Sequence, residues 1–397
     1  MSAADRTIFS NQPLASARLA GLDGLRGLAM LGVIFCHLQV FNLGWTGLSS
    51  FFVLSGFLIT RILLNDRAHA DGLGSYFKRF YLRRTLRVFP IYYAYLIALT
   101  VASLLVPALA KVQGDLPAAF LYVYNFRAMG EHGHSRMLNH LWSLSVEEQF
   151  YLVWPWVIAL VSSRQLLWLC IALVAAGPLI REALVSLILP RFSAEVKIFP
   201  IYTYLITVSH LDAFAIGALI NLIDWRPRAW QLWATLIAAF ALGFAVNGGY
   251  GMEHMALGWP LFMPHGHQYA WGYTVVNFFW FLVICAILGG GRTQRFFSLP
   301  LLDYLGKRSY STYIIHFPVL AALGGWWQSL LQAHGAALGT LLFAVPYLAI
   351  VFALSALSYR FVEVPFNNLR DRLGARQKAP AAGTRGAHPA SGAAPAA

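Results

Sequence analysis

Apolar runs of about twenty residues, the length that crosses a bilayer core, recur along this chain and restrict it to a membrane architecture. Ten are readable, at residues 25–43, 48–64, 89–106, 142–160, 166–185, 202–223, 230–246, 271–288, 302–323 and 338–359. Hydrophobic residues make up 58% of the chain and charged residues 11%, where a soluble globular domain carries about 25% charged. The expected fold class is an all-α polytopic membrane protein of about ten transmembrane helices. Residues 1–20 read as an N-terminal segment and 21–366 as the transmembrane domain. Residues 367–397 end in Ala, Pro and Gly, cannot bury a core, and are expected to be a disordered tail. The first run opens with Asp23 and Arg26 and has no small-residue cleavage site, so it reads as a span and not a cleaved signal. No internal repeat of the kind found in paired transporter halves is visible.

The net charge of +13 is mainly an orientation signal. Six of the 29 Lys and Arg residues (Lys111, Arg127, Arg136, Arg181, Arg191 and Lys197) fall on one side of a ten-span topology, and the other 23 fall on the side holding both termini. The positive-inside rule then expects both termini in the cytoplasm. No recognition module accompanies the charge, so nucleic acid is not an expected partner. Cys36, Cys170 and Cys285 all lie within runs and read as small packing residues, not a disulfide framework.

Ionisable residues within membrane helices are costly and mark a pathway or a reaction centre. Arg26 and His37 lie eleven residues apart in LDGLRGLAMLGVIFCHLQVF. That is just over three helical turns, so both side chains share one face, roughly 16 Å apart along the axis. The stretch YFKRFYLRRTLRVFP carries Lys78, Arg79, Arg83, Arg84 and Arg87, with Arg83 and Arg87 on one helical face. Two readings stand for it: anchoring to anionic lipid, or a phosphate site built from arginine forks.

In NHLWSLSVEEQFYLVWP, Glu147 and Glu148 enter an apolar helix. Neighbours on a helix diverge by about 100°, so the two carboxylates are expected to face different partners. The alternative is a plain helix start, with acids complementing the macrodipole and Ser143 or Ser145 as cap. Asn139 and His140 just outside make the cluster larger than capping needs. His210 and Asp212, then Ser309, Tyr310, Tyr313 and His316 along one stripe, and finally Glu363, punctuate other runs. Each alone is accounted for by an interhelical hydrogen bond; their number favours a site. His132 with His134, and His265 with His267, form H-x-H pairs. No further ligands stand at a plausible spacing, so no metal is expected. There is no P-loop, G-x-S-x-G or H-E-x-x-H motif.

Seven blocks in order carry a resemblance: LDGLRGLAMLGVIFCH, FFVLSGFLI, RRTLRVFP, WSLSVEEQFYLVWP, HLDAFAIG, LGKRSYSTYIIHFP and FVEVP. From Gly21 to Pro365 the chain resembles the acyltransferase-3 family of integral membrane acyltransferases. The resemblance implies about ten spans and transfer of an acyl group, often acetyl, from cytoplasmic acyl-CoA. The acceptor is implied to be a hydroxyl of a polysaccharide, lipopolysaccharide, peptidoglycan or other lipid-linked or exported sugar, or sometimes a small glycosylated metabolite. The family's essential Arg and His fall on Arg26 and His37, its basic motif on Arg83, Arg84 and Arg87, and its serine and acidic positions on Ser145, Glu147 or Glu148, and Glu363. Two departures stand out. The position two before Asp212 often carries Arg in the family and here is His210, which questions charge pairing there. Many relatives carry a C-terminal extracytoplasmic hydrolase-like domain, so this chain is expected to act alone, as a homo-oligomer or with a separate periplasmic partner.

The resulting expectation is an enzyme of a bacterial inner membrane. Arg26, Arg83, Arg84 and Arg87 hold the phosphates of acyl-CoA, with acetyl-CoA the expected donor. His37 is the general base, or carries the acyl group, since an imidazole with an ordinary pKa near 6.5 suits proton transfer. Glu147 or Glu148 orients the imidazole. Ser145, Asp212, Tyr313, His316 and Glu363 are substrate-facing or structural polar groups. The outer connection 107–141, with Tyr122 and Tyr124, is the expected place of acceptor choice. A transporter or channel is the competing class, and it calls for repeats and broken helices.

Overall fold

Every regular element among the described residues is helical. The computed structural model describes residues 20–376 apart from 130–134, 192–198, 224, 226, 248–254 and 264. The first helix, α1 (Leu22–His37), turns through a 3-10 segment (Asn42–Trp45) into α2 (Thr46–His69), and α3 (Leu73–Leu105) follows. A connection with two short helices, α4 (Leu116–Phe120) and α5 (Tyr124–Arg127), leads to α6 (Trp142–Leu160) and α7 (Ser163–Ala183). Next come α8 (Phe199–Leu205), α9 (Leu211–Leu219), α10 (Ala229–Asn247) and α11 (Gln268–Leu288). The chain closes with α12 (Gly291–Phe297), α13 (Pro300–Lys307), α14 (Ser309–His334), α15 (Ala336–Ser358) and α16 (Val364–Arg376). His132 and His134, residues 1–19 and the tail beyond 376 lie outside the described residues.

Among the described residues, seven helical stretches are long and apolar enough to cross a membrane, or eight if the pair Phe199–Leu205 and Thr207–Leu219, bent by 74°, is one span. The protein is thus an all-α polytopic membrane protein. Two of the ten runs fall outside that set: α1 has only 16 residues, and α6 carries Glu147, Glu148 and Gln149. Both are rich in buried residues, whereas α10 and α15 present Trp230, Trp233, Ile237, Leu341 and Val345 outward, as lipid-facing helices do. α2 and α9 pack backbone to backbone. A Cβ on Gly56 would stand 2.1 Å from the Phe214 carbonyl oxygen, and one on Gly217 2.0 Å from that of Val53; small residues are what permit such membrane contacts.

The structure defines four regions more closely. The basic cluster is helical, as its spacing expects, and is continuous with the span: α3 runs unbroken through both, so Arg83, Arg84 and Arg87 ride on a 33-residue helix. The ninth run divides at Arg308, whose ψ of 1° leaves the helix, and the span starts at Ser309. In the connection 107–141, Leu121 and Phe126 are exposed while Tyr124 and Asn125 are fully buried, and Tyr122 stacks on Tyr92 with ring centroids 4.2 Å apart. The tail is ordered in its first part, because a π turn (Tyr359–Glu363) carries α15 into α16 and α16 packs on α3. Leu369 and Arg370 in NNLRDRLGAR are helix formers; the Ala- and Pro-rich composition begins only beyond.

Candidate active site

Four helices bring polar residues into the middle of this apolar bundle, in two layers. α1 contributes Arg26 and His37, α3 Arg84, Arg87 and Tyr95, and α14 Ser311, Tyr313 and His316. α6 runs the opposite way, so His140 just ahead of it precedes Glu147 and Glu148. On α1, and on α3 from Arg84 to Tyr95, eleven residues separate the layers, roughly 16 Å of helix.

In the arginine layer each cation has a different environment. Arg26 is tied to Asp23, 2.5 Å away. Arg83 pairs with the buried Asp66 of α2. The Arg84 guanidinium lies 3.7 Å over the Tyr151 ring, with Glu147 at 3.9 Å and Glu148 at 3.8 Å. The two carboxylates therefore converge on one partner after all. Arg84 stands between their diverging directions, and each glutamate side chain is long enough to swing toward it. Arg87 is exposed, lies within electrostatic range of Arg26, Arg84 and Arg370, and has no carboxylate at ion-pair distance among the described residues. Arg370 comes from α16 and is itself held by Asp371 at 2.9 Å. Glu363 accepts a hydrogen bond from Ser311 and faces Arg87 and Arg308.

The histidine layer is tighter. The His37 and His316 rings have centroids 5.4 Å apart, and those of His140 and His316 5.7 Å. Phe317 meets His37 edge-on at 4.8 Å. Tyr313 donates to the His140 carbonyl at 2.8 Å and shares a hydrogen bond with Ser143. Pro318 has no N–H to give back to Ile314, and the carbonyl this frees faces His140. Among the described residues no group of three His, Cys, Asp or Glu is arranged to hold a metal.

The structure thus joins Arg26, Arg84, Arg87 and Glu363 in one layer and His37, Tyr313 and His316 in the other, with Glu147 and Glu148 between them. Other candidates sit elsewhere. The Ser145 hydroxyl donates to the Leu141 carbonyl just ahead of its own helix, 3.2 Å away, and has no part in either layer. Among the described residues no hydrogen bond joins His37 to either carboxylate: Glu147 accepts from Ser55 at 3.0 Å, and both lie by Arg84. Asp212 is charge-paired despite His210, because Arg181 of α7 reaches it at 3.0 Å, both side chains being fully buried. Thr274 and Asn277 of α11 also donate to Asp212. His265 and His267 are exposed just ahead of α11, where His267 meets Glu182 at 3.0 Å. Sequence reasoning counted His140 in the polar cluster ahead of α6 but gave it no site role of its own. Nothing local in sequence announced Arg370 or the Arg181–Asp212 pair.

Residues 19–360 match the acyltransferase-domain family Acyl_transf_3. The chain is also similar to O-acetyltransferase OatA of Staphylococcus aureus strain NCTC 8325, 28% identical over 370 residues that cover 87% of this chain and 57% of that protein. OatA of strain COL shows the same identity and coverage. The chain spans about half the length of the curated relatives it matches. No solved structure matches it.

Proposed function

This chain belongs to the acyltransferase-3 family and is a multi-pass membrane acyltransferase, and from that premise we propose that it moves an acetyl group from cytoplasmic acetyl-CoA to a hydroxyl of a surface or exported glycan. The observation that carries this is the two-layer polar track through an apolar bundle. Arg87, exposed among Arg26, Arg84 and Arg370, offers free donors to the phosphates of acyl-CoA. Guanidinium forks match phosphate oxygens in geometry and charge. The pantetheine arm then follows the track past Glu147 and Glu148 to the imidazoles. The half-buried Glu147 and Glu148 both lie at ion-pair distance from Arg84, and a charge taken out of water needs such partners.

At the histidine layer His37, only half-buried, takes the proton of the acceptor hydroxyl as its oxygen bonds to the thioester carbonyl carbon. The C–S bond breaks and the CoA thiolate leaves with that proton. The basic layer faces the cytoplasm, as the charge bias expects, and the donor arrives there. The acceptor comes from the opposite side.

His37→Ala tests this reading. The expected result is loss of transfer with expression and membrane insertion intact, seen as absence of the acetyl mass increment from surface glycans by mass spectrometry. Full acetylation in that variant would refute it. An increment on small secreted glycosides instead of surface glycans would move the acceptor to that class.

A further inference from the structure

His316 is fully buried, and its hydrogen bonding leaves one nitrogen unused. Its Nδ1 lies 2.7 Å from the Tyr313 carbonyl oxygen. A carbonyl only accepts, so Nδ1 carries the proton and Nε2 keeps a lone pair. Among the described residues no donor reaches Nε2. A buried acceptor without a partner is costly, so its persistence asks for a use.

The surroundings hold His316 in place. Tyr347 donates to its backbone carbonyl at 3.0 Å. The Tyr313 hydroxyl is occupied by Ser143 and the His140 carbonyl. The His37 ring, 5.4 Å away between centroids and tilted by 35°, is the neighbour with freedom to move, because it sits at the last residue of α1 and is only half-buried. That separation is close to the span of two imidazoles joined by one N–H···N hydrogen bond, and such contacts commonly tighten only when substrate is bound. The carboxylates that would otherwise fill the role are engaged with Ser55 and Arg84.

We propose that His316 is the positioning residue of His37: its Nε2 accepts the N–H of His37 and so fixes which His37 nitrogen meets the acceptor hydroxyl. This rests on the reading of His37 as the base. During transfer the acceptor oxygen bonds to the carbonyl carbon while its proton moves to the free nitrogen of His37. The C–S bond breaks, and the thiolate takes up that proton. His316 gains and loses no proton; it holds the tautomer, the task a carboxylate performs in hydrolytic triads.

Two substitutions separate this role from packing. In His316→Asn the amide reaches the place of Nδ1 and keeps the bond to Tyr313, but no acceptor remains at Nε2. In His316→Gln a carbonyl oxygen reaches the place of Nε2. The assay is release of CoA thiol from acetyl-CoA, with chitohexaose as acceptor, by the purified full chain in lipid nanodiscs. The expected result is a fall in kcat on the order of 100-fold for His316→Asn with the KM for acetyl-CoA unchanged, and recovery of about tenfold of that loss in His316→Gln. Wild-type turnover in His316→Asn, or a Gln variant no better than the Asn variant, overturns the proposal. His37→Ala is measured alongside. Activity surviving there overturns the underlying reading, whereas its loss there together with a fully active His316→Asn overturns the positioning role alone.

Discussion

Asp212→Ala is expected to destabilise the protein by about 3–5 kcal/mol, the cost of stranding a buried charge. Arg181 and Asp212 have no exposed side-chain surface, so water cannot replace either partner. Arg181 also donates to the carbonyls of Ala270 and Ser209, both at 2.6 Å, which fastens α7 to α9 and α11. Interhelical hydrogen bonds in membranes average only about 0.6 kcal/mol each. The two donated by Thr274 and Asn277 to Asp212 would therefore account for little more than 1 kcal/mol between them. The larger figure depends on the uncompensated guanidinium, and that makes the reasoning testable. The double variant Arg181→Met/Asp212→Ala removes both charges and is expected to recover most of the loss. The assay is the unfolding free energy from SDS titration in mixed micelles, for both single variants and the double, closed as a cycle. A loss below about 1 kcal/mol for Asp212→Ala, or a double variant as unstable as the sum of the singles, would refute the argument.

Other outcomes follow from the same geometry. Arg87→Ala is expected to raise the KM for acetyl-CoA by about tenfold or more while leaving the acceptor KM unchanged, since one charge-assisted hydrogen bond contributes about 1.5–3 kcal/mol. Arg370→Ala is expected to act in the same direction with a smaller effect, because Asp371 already occupies part of its guanidinium; donor saturation curves measure both, and unchanged curves for Arg87→Ala would favour lipid anchoring. Gly56→Leu is expected to abolish the monodisperse size-exclusion peak, because its side chain would enter the Phe214 backbone, whereas Gly74→Leu, with open space around it, is expected to leave that peak unchanged.

What was readable in the sequence divides along a physical line. Apolar periods of bilayer length announce helices because the lipid filters composition along the whole segment. Arg26 and His37 announced a site because they violate that filter. Pairing between helices leaves no such trace. Arg181 meets Asp212 from 31 residues away, and His140 reaches His316 only because α6 begins deep in the bundle and not at its surface. The expectation that Glu147 and Glu148 must part company followed from helix geometry at Cα and neglected side-chain reach, which lets both approach Arg84. The site residues on α1 and α14 were therefore found one by one, while their division into two layers is a property of the fold. The ordered start of the tail was missed for a related reason: α16 is polar by composition and gains its stability from the contact with α3.

Transfer across the membrane is the central claim, and sided proteoliposomes address it most directly. The purified chain is reconstituted with chitohexaose enclosed and carbon-labelled acetyl-CoA supplied only outside, and the enclosed sugar is recovered and weighed by mass spectrometry. Labelled acetyl on the enclosed sugar, lost in His37→Ala, is the predicted result. CoA release outside with no label on the enclosed sugar, or label that appears only when the sugar shares the donor's compartment, would contradict the account.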